Sequence, residues 1–242
     1  MAQLVDQYPY LFSLLICLII YGGMMAAFPS ERHLMLIGSV LSLPHAFFAI
    51  ELVPSYWQPE LIFTVFGVGL EDFGFMFVVG GWVWIAATWP ARKRLRLCIQ
   101  RDLVVRRYLV GNLLGMSLCF LLLSFGVRGY QNVFLSMAAV GFFVLLMRKD
   151  LVALSFSAAV SFAILYILFF KLVLFIWPSF TSLWTWENLW GVSVFNIPFE
   201  ELLWALLYPF TWAAWLAYIF DVTITKPVQR KAKTEVTARF RN

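Results

Sequence analysis

Uninterrupted apolar runs dominate this chain, and several reach the roughly 18 residues or more that mark a bilayer-spanning helix. They decide the class before any motif is considered. Hydrocarbon offers no partner to backbone N–H and C=O groups, so only helices and closed barrels satisfy themselves there. Read in order, the predicted spans are 9–28, 34–53, 61–88, 108–127, 133–147, 151–177 and 189–220. The composition agrees, with 62% hydrophobic and 13% charged residues and a mean hydropathy of +0.84. Soluble domains average about 45–50% apolar and about 25% charged. The expected fold class is therefore all-α, a polytopic membrane protein of about seven transmembrane helices.

Charge sets the expected orientation. Of the Lys and Arg residues, only Arg128 and Lys171 fall outside the segments 29–33, 91–107, 148–150 and the tail from residue 226. Basic loops stay on the cytoplasmic side, so an integral cell-membrane protein is expected, with its N-terminus outside and its C-terminus cytoplasmic. That topology accounts for the net charge of +5 without a nucleic-acid partner; the expected partners are the lipid bilayer, an apolar substrate and a homo- or hetero-oligomeric neighbour. Cys17, Cys98 and Cys119 have no metal-ligand or disulfide spacing. The first eight residues hold no Lys or Arg, so the first span is expected to be retained rather than cleaved.

Two adjacent acidic pairs stand inside the apolar runs: Glu71-Asp72 in Gly69-Leu-Glu-Asp-Phe-Gly74, and Glu200-Glu201 in Asn196-Ile-Pro-Phe-Glu-Glu-Leu-Leu-Trp204. On insertion scales an acidic residue at a helix centre costs roughly 2.5–3.5 kcal/mol, and such residues face protein or a wet cavity and mark function. Each pair follows a span and a Trp- and Pro-bearing loop, which predicts two parallel three-helix repeats plus a connecting helix. The expected division is 1–90 (first repeat), 91–130 (basic connector and span four), 131–225 (second repeat) and 226–242 (basic tail).

A rise of about 1.5 Å per residue puts Glu71 and Glu200 roughly 15 Å below the outer surface, facing a central cleft. Neighbours on a helix point about 100° apart, so one carboxylate of each pair is expected in the cleft and the other on an adjacent helix. Asn196 is read as one turn above Glu200, and Pro198 as a bend in the seventh span. His45 and Lys171 sit somewhat shallower, and Glu51 near the outer end of the second span. Lys171 either snorkels to headgroups or pairs with Glu200 or Glu201; His45 is either a helix contact or a proton donor.

A carboxylic acid sheltered from water is a general acid with few competing acceptors. It suits an apolar substrate protonated at carbon, and the 25 Phe, 11 Trp and 9 Tyr offer ring faces to a developing cation. Gly67-Val-Gly-Leu-Glu-Asp-Phe-Gly74 lacks the strand–turn–helix context and the glycine pattern of a dinucleotide fingerprint. No P-loop, His-rich metal pattern or Asp-rich diphosphate site is present; the expectation is no cofactor and no metal. Residues 189–220 contain no Lys, so a retinal Schiff base in that span is excluded.

The paired motifs resemble the integral-membrane lycopene cyclase domain, the flavin-independent type found as heterodimers and fused proteins. The likeness rests on Asn196–Trp204 and on Val68–Phe75, where Gly69 stands in place of the usual Pro, and on Tyr56-Trp57-Gln58-Pro59 and Trp184–Asn188. Phe48 and Phe175 occupy places near which members carry Asp. The resemblance implies redox-neutral cyclisation of linear carotenoid ends, with Glu200 and Glu71 as acid and base and with Asp72 and Glu201 in support. Asn196, Lys171, His45, Glu51 and Pro198 then line or brace the cleft. A second class stays open on these residues, a proton-coupled transporter or a pigment-binding subunit with the same carboxylates.

Overall fold

The computed structural model describes residues 7–89, 95–96 and 100–224. The tail expected at 226–242 and most of the basic run 91–99 lie outside the described residues. Among the described residues, seven helices are long and apolar enough to cross a membrane. They are α1 (Pro9–Ala27), α2 (Arg32–Leu52), α3 (Leu70–Thr88), α4 (Arg101–Ser124), α5 (Gly129–Met147), α6 (Val152–Ile176) and α7 (Phe199–Ile219). The all-α, seven-span class holds. Within α2, residues Leu43–Phe48 tighten to a 3-10 turn, where Pro44 has no N–H to give the α-helical ladder.

Two predicted spans are shorter than their apolar runs. Residues 61–69 and 189–198 are not helix; each folds into a hairpin ahead of α3 or α7. Strand β1 (Thr64–Val65) pairs antiparallel with β2 (Val68–Gly69), and β4 (Ser193–Val194) pairs with β5 (Ile197–Pro198). Both hairpins turn on two residues with positive φ, Phe66 and Gly67 in one, Phe195 and Asn196 in the other. That is the geometry of a type I′ turn, which matches strand twist and favours Gly or Asn. Asn196 is thus a turn former. Pro198 is the residue before α7 rather than a bend in it, and the proline inside that helix is Pro209.

A third short ladder pairs β3 (Leu95–Arg96) with β6 (Thr223–Ile224) at the opposite, basic end of the bundle. There Asp221 takes ion pairs from Arg107 at 3.1 Å and Arg148 at 3.4 Å, tying α4 and α5 to the end of α7.

α3 and α7 are the enclosed helices, with 72% and 61% of their apolar windows buried, against 6% for α4. α3 packs chiefly on α2 and α6, and α7 on α6 and α5. Small residues allow the α2–α3 approach: a Cβ on Gly80 would run into Ser42, and one on Gly81 would meet Ser39 Oγ at 2.6 Å. Without a hydrophobic drive between helices in lipid, close backbone contact and interhelical hydrogen bonds carry association. Ser42 Oγ donates to Met76 O at 2.6 Å, and Thr211 Oγ1 to Met137 O at 3.0 Å.

Candidate active site

Both acidic pairs fall in the first turn of their helices, because the hairpins consume the residues that an unbroken span would have used. The depth of roughly 15 Å counted from a continuous helix therefore does not hold. A helix N-terminus carries partial positive charge and unpaired N–H groups, which is a physical reason for carboxylates to be kept there.

The two members of each pair do different things. Glu71 Oε1 accepts from Ile62 N at 3.0 Å, and Glu200 Oε1 from Trp190 N at 2.6 Å. Both glutamates thus hold the chain leading into their hairpins. Beside them Leu70 N donates to Phe63 O at 3.1 Å and Phe199 N to Val192 O at 3.0 Å. The expectation that Glu71 and Glu200 face the cleft is corrected: neither lines the central cavity, which is bordered instead by Asp72 and Glu201. Consecutive residues project about 100° apart, and α3 and α7 begin one residue ahead of their glutamates. That start gives the inner direction to the second carboxylate.

Asp72 Oδ1 accepts from Tyr10 Oη at 2.9 Å, and its Oδ2 takes Gly69 N at 2.9 Å, closing the start of α3. Glu201 accepts three side-chain donors: Tyr56 Oη at 2.8 Å and Trp184 Nε1 at 2.9 Å on Oε1, and Tyr166 Oη at 2.6 Å on Oε2. Burial first, then the Glu201 charge and the hydrogen bond to it, push the Tyr56 hydroxyl well above the ordinary phenol range. Tyr56 therefore remains a donor at any physiological pH.

The cavity between the two acids measures about 110 Å3. Its walls are aromatic, with Trp57, Phe75, Phe169, Trp204 and Tyr208 among them. The Trp204 ring lies 5.5 Å from Tyr166, 5.6 Å from Phe75 and 5.3 Å from Tyr208. Over the loop end Trp57 and Trp184 form an isolated antiparallel bridge. It is continued by Gln58 N to Leu183 O at 2.6 Å and Thr185 N to Tyr56 O at 2.9 Å. The loops of the two halves thus join at the chamber, with Trp57 and Trp184 in its wall.

The supporting residues divide. His45 lines the chamber and its Nδ1 has no hydrogen-bond partner. Glu51 is outside it and accepts Gly129 N at 2.8 Å, tying α2 to α5. Lys171 and Asn196 line a separate open groove beside the second hairpin. Lys171 is exposed, and the groups that Glu200 and Glu201 accept from are all uncharged, so its pairing with them is set aside. Phe48 borders the chamber whereas Phe175 is 85% exposed. Among the described residues no cluster of His, Cys, Asp and Glu could hold a metal.

Residues 128–219 match the family model for lycopene cyclase. This segment, under half of the chain, is similar to the lycopene cyclase family. The match spans α5, α6 and α7 and includes Tyr166, Trp184 and Glu201, and it supports a lycopene cyclase-like function. No curated protein and no solved structure matches the chain.

The partners Tyr10 and Tyr166 were missing from the residues singled out by sequence. Their signal was present: a tyrosine in an aliphatic span brings a hydroxyl that needs a partner when buried.

Proposed function

We propose that this protein cyclises the end group of a linear carotenoid, or a related isoprenoid, within the membrane by acid and base catalysis without a cofactor. The observation that carries the reading is the convergence of Asp72 and Glu201, one from each half, on a single aromatic-lined chamber. Asp72 is the proton donor. Its one side-chain partner is the Tyr10 hydroxyl, a group that can accept as readily as it donates. Glu201, held by three donors, is the carboxylate; charge-assisted hydrogen bonds of this kind are the strong ones.

The proton of Asp72 goes to the terminal carbon–carbon double bond. The electron pair of a second double bond closes the six-membered ring, and the positive charge moves onto a ring carbon. The faces of Trp204, Phe75 and Trp57 attract that charge. Glu201 then takes a proton from the adjacent carbon, and the electrons of that C–H bond become the new double bond. Product and substrate are isomers, no electrons enter or leave, and the proton returns to Asp72 before the next cycle. The run of basic residues at the far end supports an orientation with the chamber in the outer half of the bilayer.

Expression in lycopene-producing cells tests the reading. Ring-bearing pigments are expected from the native chain. Linear pigment alone, with the protein folded in the membrane, overturns the assignment.

A further inference from the structure

The chamber is too small for the substrate just proposed. A protein cavity of about 150 Å3 holds one benzene molecule, and the chamber measures about 110 Å3. Side chains must give way there to seat even an end group, so the rest of a long hydrocarbon chain must lie elsewhere.

A second cavity of about 300 Å3 adjoins it, between α2, α4, α5 and α7. His45, Phe48, Met137 and Tyr208 line both spaces, so the two are separated only by side chains. The second space is lined mostly by apolar side chains; of its polar groups, His45 Nδ1, Tyr208 Oη and Trp215 Nε1 have no hydrogen-bond partner, and Thr211 Oγ1 donates to Met137 O. Asn112 donates to Tyr108 O at 2.9 Å, and Ser136 bonds Asn132 Oδ1 at 3.4 Å. The dividing wall is flat and aromatic: the His45 ring lies 6.0 Å from Phe48 in a stacked arrangement and 5.0 Å, edge-on, from Trp212.

A break in the likeness of the two halves makes the space. α3 packs closely on α6, but its counterpart α7 has no comparable contact with α2. Those two approach near the basic end, where a Cβ on Gly38 would stand 3.4 Å from Leu216 Cδ1. At the level of the 3-10 turn they meet through the His45 ring, 5.0 Å from Trp212 and 5.7 Å from Trp215, and α4, the least buried helix, covers the space beside it.

We propose that this second cavity is the binding segment for the hydrocarbon tail of the substrate, reached from the bilayer beside α4, with the end group seated in the aromatic chamber. The inference rests on the reading above for what the occupant is, but the cavity makes its own claim: it binds a long polyene whether or not the chamber converts it.

Gly115 gives the test. It lines the second cavity and not the chamber, and a Cβ there would have Val140 Cγ2 at 3.4 Å and nothing else within 4 Å. Gly115→Phe is expected to plug the tail segment and Gly115→Ala to leave it open. In membranes of a lycopene-producing host, Gly115→Phe should lower both polyene retained on the purified protein and ring formation by about tenfold or more. Native-like retention and conversion in a folded Gly115→Phe protein would overturn the tail segment and leave the cyclase reading standing. Polyene retained by the native chain, lost in Gly115→Phe and never cyclised, would uphold the segment and remove the cyclase reading. A readout without a bulky substitution is the thiol of Cys119, which lines the same cavity. In a Cys98→Ser background, bound lycopene should slow its labelling by an apolar maleimide several-fold; equal rates with and without lycopene would count against the segment.

Discussion

Set side by side, the two hairpin–helix units are the same device with one residue changed at the joint. Each has a two-residue turn with positive φ, a glutamate that braces the approach to the hairpin, and an inner carboxylate on the next residue. At the joint stand Gly69 in one and Pro198 in the other. Gly69 has an N–H and spends one oxygen of Asp72 on it. Pro198 has none, so both oxygens of Glu201 are left to side chains, and three donors from two loops and a helix take them. The extra methylene of Glu201 carries its carboxylate further from the helix start as well. A scaffold used twice has thus produced two acids with different company, which is how environment separates the roles of like groups.

The strongest way to break the comparison is to neutralise the inner acids. Asp72→Asn and Glu201→Gln should each lower ring formation by about 10²–10⁴-fold, the usual worth of a general acid or base. Their products should differ. Asp72→Asn leaves linear pigment unconsumed, while Glu201→Gln still forms some cation and changes where the double bond ends, as resolved by chromatography of the pigments. Identical, undiminished pigments from both variants would end the assignment of unlike roles.

Removing an outer acid should register in stability before chemistry. Glu200→Ala strips Trp190 N–H of its acceptor, a loss of about 1–2 kcal/mol, read as a lowered Tm in detergent. Glu71→Ala should behave alike through Ile62. Loss of all cyclisation at full stability in either variant would return the chemistry to the outer pair.

Smaller effects sharpen the picture. Tyr166→Phe removes one of three donors to Glu201 and should cost about tenfold in rate, whereas Tyr10→Phe removes the one side-chain partner of Asp72 and should cost more. Gly69→Pro tests the joint itself. The backbone there, φ −70° and ψ 146°, accepts proline, and the N–H to Asp72 is lost. A change of only a few-fold in rate is expected, with Leu61 shifting to admit the ring; no change at all would mean the joint does not tune Asp72.

These particulars also mark what could be read from the chain. Span number was legible because hydropathy over some twenty residues is a strong signal, and the acidic pairs marked the two helix starts that border the chamber. The hairpins were not legible, since Leu61–Gly69 and Leu189–Pro198 are as apolar as helix; only Phe66-Gly67 and Phe195-Asn196, two-residue turns of the type I′ kind, betrayed them. Missing the hairpins misplaced the helix starts, and the helix start decides which of two adjacent carboxylates points inward. The donors Tyr10, Tyr56 and Tyr166 come from three separate segments, and nothing in their spacing announces that they meet. Packing made that choice.

Tyr56 and Glu201 lie 145 positions apart in the chain, yet they share a hydrogen bond. A ribosome releasing this protein has long finished the first partner when the second emerges, and a truncated product owns only half of the handshake. On the proposed reading, acid chemistry in the chamber waits until Glu201 has been made and has met Tyr56.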